Sequence, residues 1–177
     1  MGSLNKIVKQ QQQTLTKPEE NISEEVAQLV GFVVGEEEFA VPILSIQEII
    51  KPIEWTRVPF TPDYVLGVFN LRGNVLPLID LRIKFGISAN DIDENTRFIV
   101  MKIKNEDVAF IIDRLTSTLR IKKKNILPPP DTYSNEEDII EGVGRMDDGR
   151  IITILKVDNL IKREEIAPNN DHTSTNL

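Results

Sequence analysis

The chain never runs long without a turn. Its apolar residues fall into short runs at 29–34, 39–41, 65–71, 75–81, 98–103, 108–112 and 151–157, each closed by Gly, Asn or Asp within roughly ten positions. The connectors Gly35-Glu36-Glu37, Arg72-Gly73-Asn74, Lys104-Asn105-Glu106-Asp107 and Asp147-Asp148-Gly149 are hairpin-sized, and their Gly and Asn residues supply the positive φ that tight hairpins need. A chain cut this often leaves little room for long helices. The apolar side chains agree: 24 Ile and 14 Val stand against 15 Leu and 5 Ala, and β-branched residues fit a pleated sheet better than a helix. The pattern predicts a mostly β protein of short antiparallel strands closed as small barrels or a sandwich.

Two segments read as helical. Pro42 suits a first helical position, with Ile43, Ile46, Ile49 and Ile50 following at spacings of three and four, and residues 158–165 carry Leu160 and Ile161. Pro128-Pro129-Pro130 forces an extended connection, followed by a polar loop to about Asp138. Residues 1–26, with four consecutive Gln from Gln10, and residues 166–177 are too polar to offset ordering entropy and read as flexible tails, apart from a short helix starting at Ser23. A single domain over 27–165 is expected. No internal repeat is visible by eye, although a doubled small barrel, once diverged, would show none.

Composition removes whole classes of function. A net charge of −7 opposes counterion-release binding, so no nucleic acid is expected, and Lys122-Lys123-Lys124 reads as a solvated edge or turn. There is no Cys, and the single His172 lies in the polar tail, which rules out thiolate zinc, Cys–His chemistry and a Ser–His–Asp triad. Gly142-Val143-Gly144 lacks a third Gly and opens no helix, and no phosphate-cradling loop occurs, so no cofactor is expected. Asp91-x-Asp93-x-Asn95 starts like a calcium loop but lacks the Gly and the closing Glu, and acidic runs such as Glu36-Glu37-Glu38 and Glu136-Glu137-Asp138 read as solvated turns, so no metal is expected. No apolar run reaches the ~20 residues of a membrane span, and Lys6 breaks a myristoylation motif, so no direct membrane insertion and a cytoplasmic location are expected. The sequence offers no catalytic apparatus.

Three charged residues sit among apolar neighbours: Glu48 after Ile46, Arg72 at the end of residues 65–71, and Asp80 after Ile79. A charge in such a place is costly unless paired. Glu48 with Arg72, or Arg72 with Asp80, would form a structural ion pair; alternatively these side chains rim a groove for a partner. Residues alone leave both readings open.

The stretch Gly67-Val68-Phe69-Asn70-Leu71-Arg72-Gly73, followed by Pro77-Leu78-Ile79-Asp80-Leu81, resembles the signature of CheW-like domains, the coupling module of bacterial chemotaxis arrays. Phe39 to Ile43, the Ile46-Gln47-Glu48-Ile49 element, Thr56-Arg57-Val58-Pro59, Gly142-Val143-Gly144-Arg145 and Ile152-Thr153-Ile154-Leu155 extend the resemblance over 27–165. Phe69 and Asn74-Val75 are minor departures from the family pattern. The resemblance implies two five-stranded SH3-like barrels packed together with short helices. It also implies a non-enzymatic adaptor that bridges methyl-accepting chemoreceptors and the regulatory domain of the histidine kinase CheA at membrane-associated arrays. Carried over by position, the receptor groove includes Ile46, Glu48, Gly67, Asn70, Arg72 and Val75, with Gly67 permitting close backbone approach and Arg72 held by Glu48; kinase contacts fall on apolar barrel ends. The same domain separated from a CheV-type protein or from CheA itself is the alternative.

Overall fold

A computed structural model describes residues 25–129 and 138–166. Residues 1–24 and 167–177 of the expected tails, the start of the helix at Ser23, His172 and most of the loop after Pro129 lie outside the described residues, while Val26 and Ile166, expected in the tails, belong to a strand and a helix. The chain forms β1 (Val26–Val34), β2 (Glu37–Pro42), β3 (Ile46–Ile50), β4 (Val65–Leu71), β5 (Asn74–Asp80), α1 (Leu81–Lys84), β6 (Arg97–Ile103), β7 (Glu106–Ile112), β8 (Arg114–Lys122), β9 (Ile126–Leu127), β10 (Ile140–Arg145), β11 (Ile151–Leu155) and α2 (Arg163–Ile166). The strands make two sheets, β8-β1-β2-β11-β10-β9 and β3-β6-β7-β5-β4. Each is SH3-like in its packing, and the first carries a sixth strand of only two residues.

The expected helix after Pro42 is not there. A single 3-10 turn, Ile43–Ser45, leads straight into β3, which pairs with β6 in the register Ile49↔Ile99. The spacing of Ile46, Ile49 and Ile50 looked helical because a register shift between Ile46 and Glu48 interrupts the two-residue alternation. The expected helix at 158–165 shrinks to a 3-10 turn, Val157–Asn159, and the four residues of α2. Strand β8 was missed because Arg114–Lys122 is mostly polar and exposed, as edge strands are.

The Ile/Val excess has a geometric cause. Alternate residues of one strand enter different cores. Phe98 and Val100 of β6, with Ala109 and Ile111 of β7 and Phe69, Leu76 and Leu78, fill the second barrel. The residues between them, Ile99, Met101, Val108, Phe110 and Ile112, join Phe32, Phe39 and Val41 of the first barrel in a larger core between the barrels. Leu29, Ala40, Leu119, Ile152 and Ile154 fill the first barrel. Strands buried on both faces read as unbroken apolar runs.

The sheets share one topology. In the first, hairpin β1–β2 has β8 antiparallel to β1 and β11 of hairpin β10–β11 parallel to β2; in the second, hairpin β6–β7 has β3 antiparallel to β6 and β5 of hairpin β4–β5 parallel to β7. The repeat is real but circularly shifted, with the second barrel wholly inserted between β2 and β8. That shift hides it from a linear reading.

A buried charge cluster fastens the barrels. Arg82 grips Asp80 through Nε–H to Oδ1 (3.0 Å) and Nη2–H to Oδ2 (2.8 Å), and Nη1–H reaches Asp113 Oδ1 at 3.1 Å and the Asn90 carbonyl at 2.7 Å. Asp113 Oδ2 accepts the Gly35 N–H at 2.6 Å, which ties the end of β7 to the β1–β2 turn. The bond to Asp80 outweighs the opposing effect of burial and raises the Arg82 pKa above its ordinary value. Asp80 is therefore the partner of Arg82, not of Arg72.

Candidate docking site

The site is built on the β4–β5 hairpin. Its turn is two residues long: Leu71 faces Asn74, and both Arg72 (φ 52°) and Gly73 (φ 90°) have positive φ, as the turns that match strand twist require. Arginine in this conformation costs about 1 kcal/mol, since its Cβ crowds the following carbonyl. Asn70 offsets part of that cost, its Oδ1 accepting the Gly73 N–H at 2.9 Å. The strained residue projects its guanidinium to Glu48 on β3, with Nη2–H to Oε2 at 3.0 Å and Nη1–H to Oε1 at 3.2 Å. Strands β3 and β4 are the two edges of their sheet, so this fork spans the barrel seam. The Arg72 side chain is 75% exposed and that of Glu48 25%, so the pair adds under about 1 kcal/mol of stability. The left-handed φ belongs to the turn, as it does at Lys104 (φ 55°) in the β6–β7 hairpin.

The seam is also closed from behind. Thr56 and Val68 exchange N–H···O bonds of 2.8 Å in both directions, and Trp55 stands edge-on to Phe98 at 6.1 Å. Gly67 (φ 149°) is buried directly beneath this bridge: a Cβ there would lie 2.7 Å from the Thr56 carbonyl carbon and 2.9 Å from the Arg57 Cα. The backbone that approaches Gly67 is thus the chain's own, not that of a visitor.

The six groove residues expected from the resemblance therefore separate by position. Glu48 and Arg72 form the exposed fork; Asn70 holds its turn; Gly67 supports its seam. Ile46 is half-buried against the inter-barrel core. Val75, opposite Asn70 in the ladder and 68% exposed, lines a shallow cleft with Val68 and Pro77, Glu106 of β7, and Arg163 and Ile166 of α2. Arg163 and Ile166 went unnoticed in the sequence, where nothing distinguishes them from any short terminal helix. Elsewhere, Asp93 Oδ1 accepts the N–H groups of Asn95 (2.8 Å) and Thr96 (3.0 Å), so the calcium-like triplet is a self-closed turn. Among the described residues no His, Asp and Glu cluster is placed to hold a metal, and no helix is long and apolar enough to cross a membrane.

The CheW-like domain model matches residues 28–165, the two barrels together. The chain belongs to the CheW-like family. It is 50% identical over 149 residues to "Chemotaxis protein CheW" of Helicobacter pylori, a match covering 84% of this chain and 88% of that one. Identity to the protein of the same name from Klebsiella aerogenes is 34% over 137 residues, covering 77% and 82%. The crystal structure of the scaffolding protein TtCheW from Thermoanaerobacter tengcongensis superposes with a TM-score of 0.71 at 30% identity, covering 77% of this chain and 92% of that one. CheW-like proteins of this kind are adaptors of chemotaxis signalling and not enzymes, so the fork and cleft are candidate contact surfaces rather than catalytic ones.

Proposed function

We propose that this protein couples methyl-accepting chemoreceptors to the histidine kinase CheA at membrane-associated signalling arrays. The single observation that carries the receptor half is the Arg72–Glu48 fork, an exposed ion pair that joins the β4–β5 turn to β3 across the two edges of the second sheet. Beside it, Val75 and the cleft toward Ile166 offer apolar surface to the stripe of a receptor helix hairpin, the helix-in-groove mode. The kinase half rests on a second surface, the apolar end of the first barrel. Leu44 is 92% exposed there, in the 3-10 turn, and Val26, Ile43 and Leu127 are exposed with it. The regulatory domain of CheA is the partner assigned to that end.

The test is a three-component kinase assay with CheA, receptor cytoplasmic fragments on a membrane template, and this protein added or withheld. Kinase activity is expected to rise strongly only with all three present. Arg72→Ala should weaken receptor binding about tenfold, roughly 1.4 kcal/mol, and leave CheA binding intact; unchanged receptor affinity in that variant removes the site assignment.

A further inference from the structure

The cleft beside Val75 has one wall that belongs to neither sheet. Arg163 and Ile166 of α2 line it together with Val68, Val75 and Pro77. A helix of four residues does not hold itself in place, because its nucleus fixes several backbone angles for one hydrogen bond. Its position comes from tethers. Ile166 packs on the inter-barrel core. Arg163 Nη2 reaches Glu106 Oε1 at 3.4 Å, but both side chains are exposed, and such a pair holds little. The third tether is buried. Lys84, the last residue of α1, has a side chain only 5% exposed, and its Nζ lies 3.4 Å from Glu165 Oε2 and 4.4 Å from the centre of the Tyr64 ring. The same Glu165 oxygen accepts the Lys162 N–H at 3.0 Å, the reach-back half of a capping box, so one carboxylate both starts α2 and anchors it. An ammonium shut away from water needs its anion, which makes this tether the strong one. Its other end is fixed as well: Arg82, two residues before Lys84, grips Asp80 and Asp113 at the barrel junction. Arg82 and Lys84 together tie the cleft wall to the seam between the barrels.

We infer that Lys84 and Glu165 are positioning residues for this cleft: their pair sets where Arg163 and Ile166 stand, and so whether the cleft is shaped for its partner. Neither residue lines the cleft itself. That the partner is a receptor helix hairpin rests on the function proposed above; the role of the pair in holding α2 does not.

Two variants of the full chain test it. Lys84→Met keeps an apolar stem on Tyr64, and Glu165→Gln keeps an oxygen for the Lys162 N–H; each removes the charge pair alone. In both, NMR order parameters of the backbone amides of residues 163–166 are expected to fall from about 0.85 to below about 0.6. Affinity for receptor cytoplasmic fragments should fall about fivefold, which corresponds to a wall in place about one-fifth of the time. CheA affinity should not change, whereas a general loss of stability would lower both. The double variant should be no weaker than either single one, since all three remove one interaction. Unchanged order in residues 163–166 overturns the inference. So does a loosened α2 with unchanged receptor affinity while Val75→Asp lowers that affinity, because the wall then plays no part in docking. If Val75→Asp also leaves receptor affinity unchanged, the receptor reading of the cleft falls, and the order parameters alone decide whether the pair holds α2.

Discussion

Gly67→Ala separates a glycine that supports the fold from one that greets a partner. The new Cβ would sit 2.7 and 2.9 Å from backbone atoms of Thr56 and Arg57, with the Thr56 carbonyl oxygen closer still. Backbone cannot rotate aside as a side-chain tip can, so residues 55–57 must lift. Lifting them breaks the two 2.8 Å bonds between Thr56 and Val68, each worth about 1 kcal/mol net. An L-residue at φ 149° adds about 1–3 kcal/mol of strain. The expected loss is therefore about 3–5 kcal/mol, a large part of the ~5–15 kcal/mol that holds a domain together. Two controls dissect it. Gly73 has positive φ but nothing within 4 Å, so Gly73→Ala carries strain alone, about 1 kcal/mol. Gly142, its counterpart in the first barrel, has a Cβ position 2.7 Å from the Leu127 carbonyl oxygen without a left-handed φ, so Gly142→Ala carries the steric part alone, about 1–2 kcal/mol. Urea unfolding of the three variants, compared at equal m-value, measures all of this. A Gly67→Ala loss no larger than that of Gly73→Ala would refute the buried-seam account and return Gly67 to the surface.

Other perturbations have distinct signatures. Arg82→Met leaves the buried Asp80 and half-buried Asp113 carboxylates without their cation and should cost about 3–5 kcal/mol, read as a Tm drop of about 10 °C or more; a drop under about 2 °C would show that the cluster is not a fastener. Arg72→Ala removes an exposed pair and should shift Tm by no more than about 2 °C, so a large fall would make the fork structural. The N–H of Asn95, with that of Thr96 and its hydroxyl, holds the Asp93 carboxyl below the usual carboxylate range. Its contribution is present above the unfolded pKa of about 4 and is lost as pH falls through the lower folded value. Acid titration of stability should therefore be shallower below about pH 4 in Asp93→Asn than in the parent, and identical curves would exclude the turn as a contributor.

The sequence announced strands where both faces were buried, because unbroken apolar runs such as Val108–Ile112 between turn residues read most simply as strands. It misled at β3, where a bulge converted alternation into an apparent helical spacing, and it was silent at β8, an edge strand whose polar face carries no periodic signal. The Glu48–Arg72 pairing was one of two alternatives in the sequence. Choosing between them required Arg82, an arginine two residues past Asp80 inside an apolar run, which claims that carboxylate first. Gly67 was legible as a glycine with a purpose, but not as one serving the chain's own Thr56, since spacing says nothing about which backbone comes near. Residues of the family-like segment that share one hairpin turned out to do separate work: Asn70 on the turn, Arg72 across the seam, Val75 in the cleft.

The insertion of one barrel within the other also sets a timetable. From β3 to the end of β7 every strand of the second barrel is contiguous in the chain, while β1 and β2 need β8, β10 and β11, which the ribosome makes last. Until then Phe32, Phe39 and Val41 have no barrel to join, but they do have the outer face of the second barrel, with Ile99 and Phe110, against which to shelter. Chain order alone thus lets the later-starting half close without the earlier one, whereas the earlier-starting half cannot close until the last strands have been made.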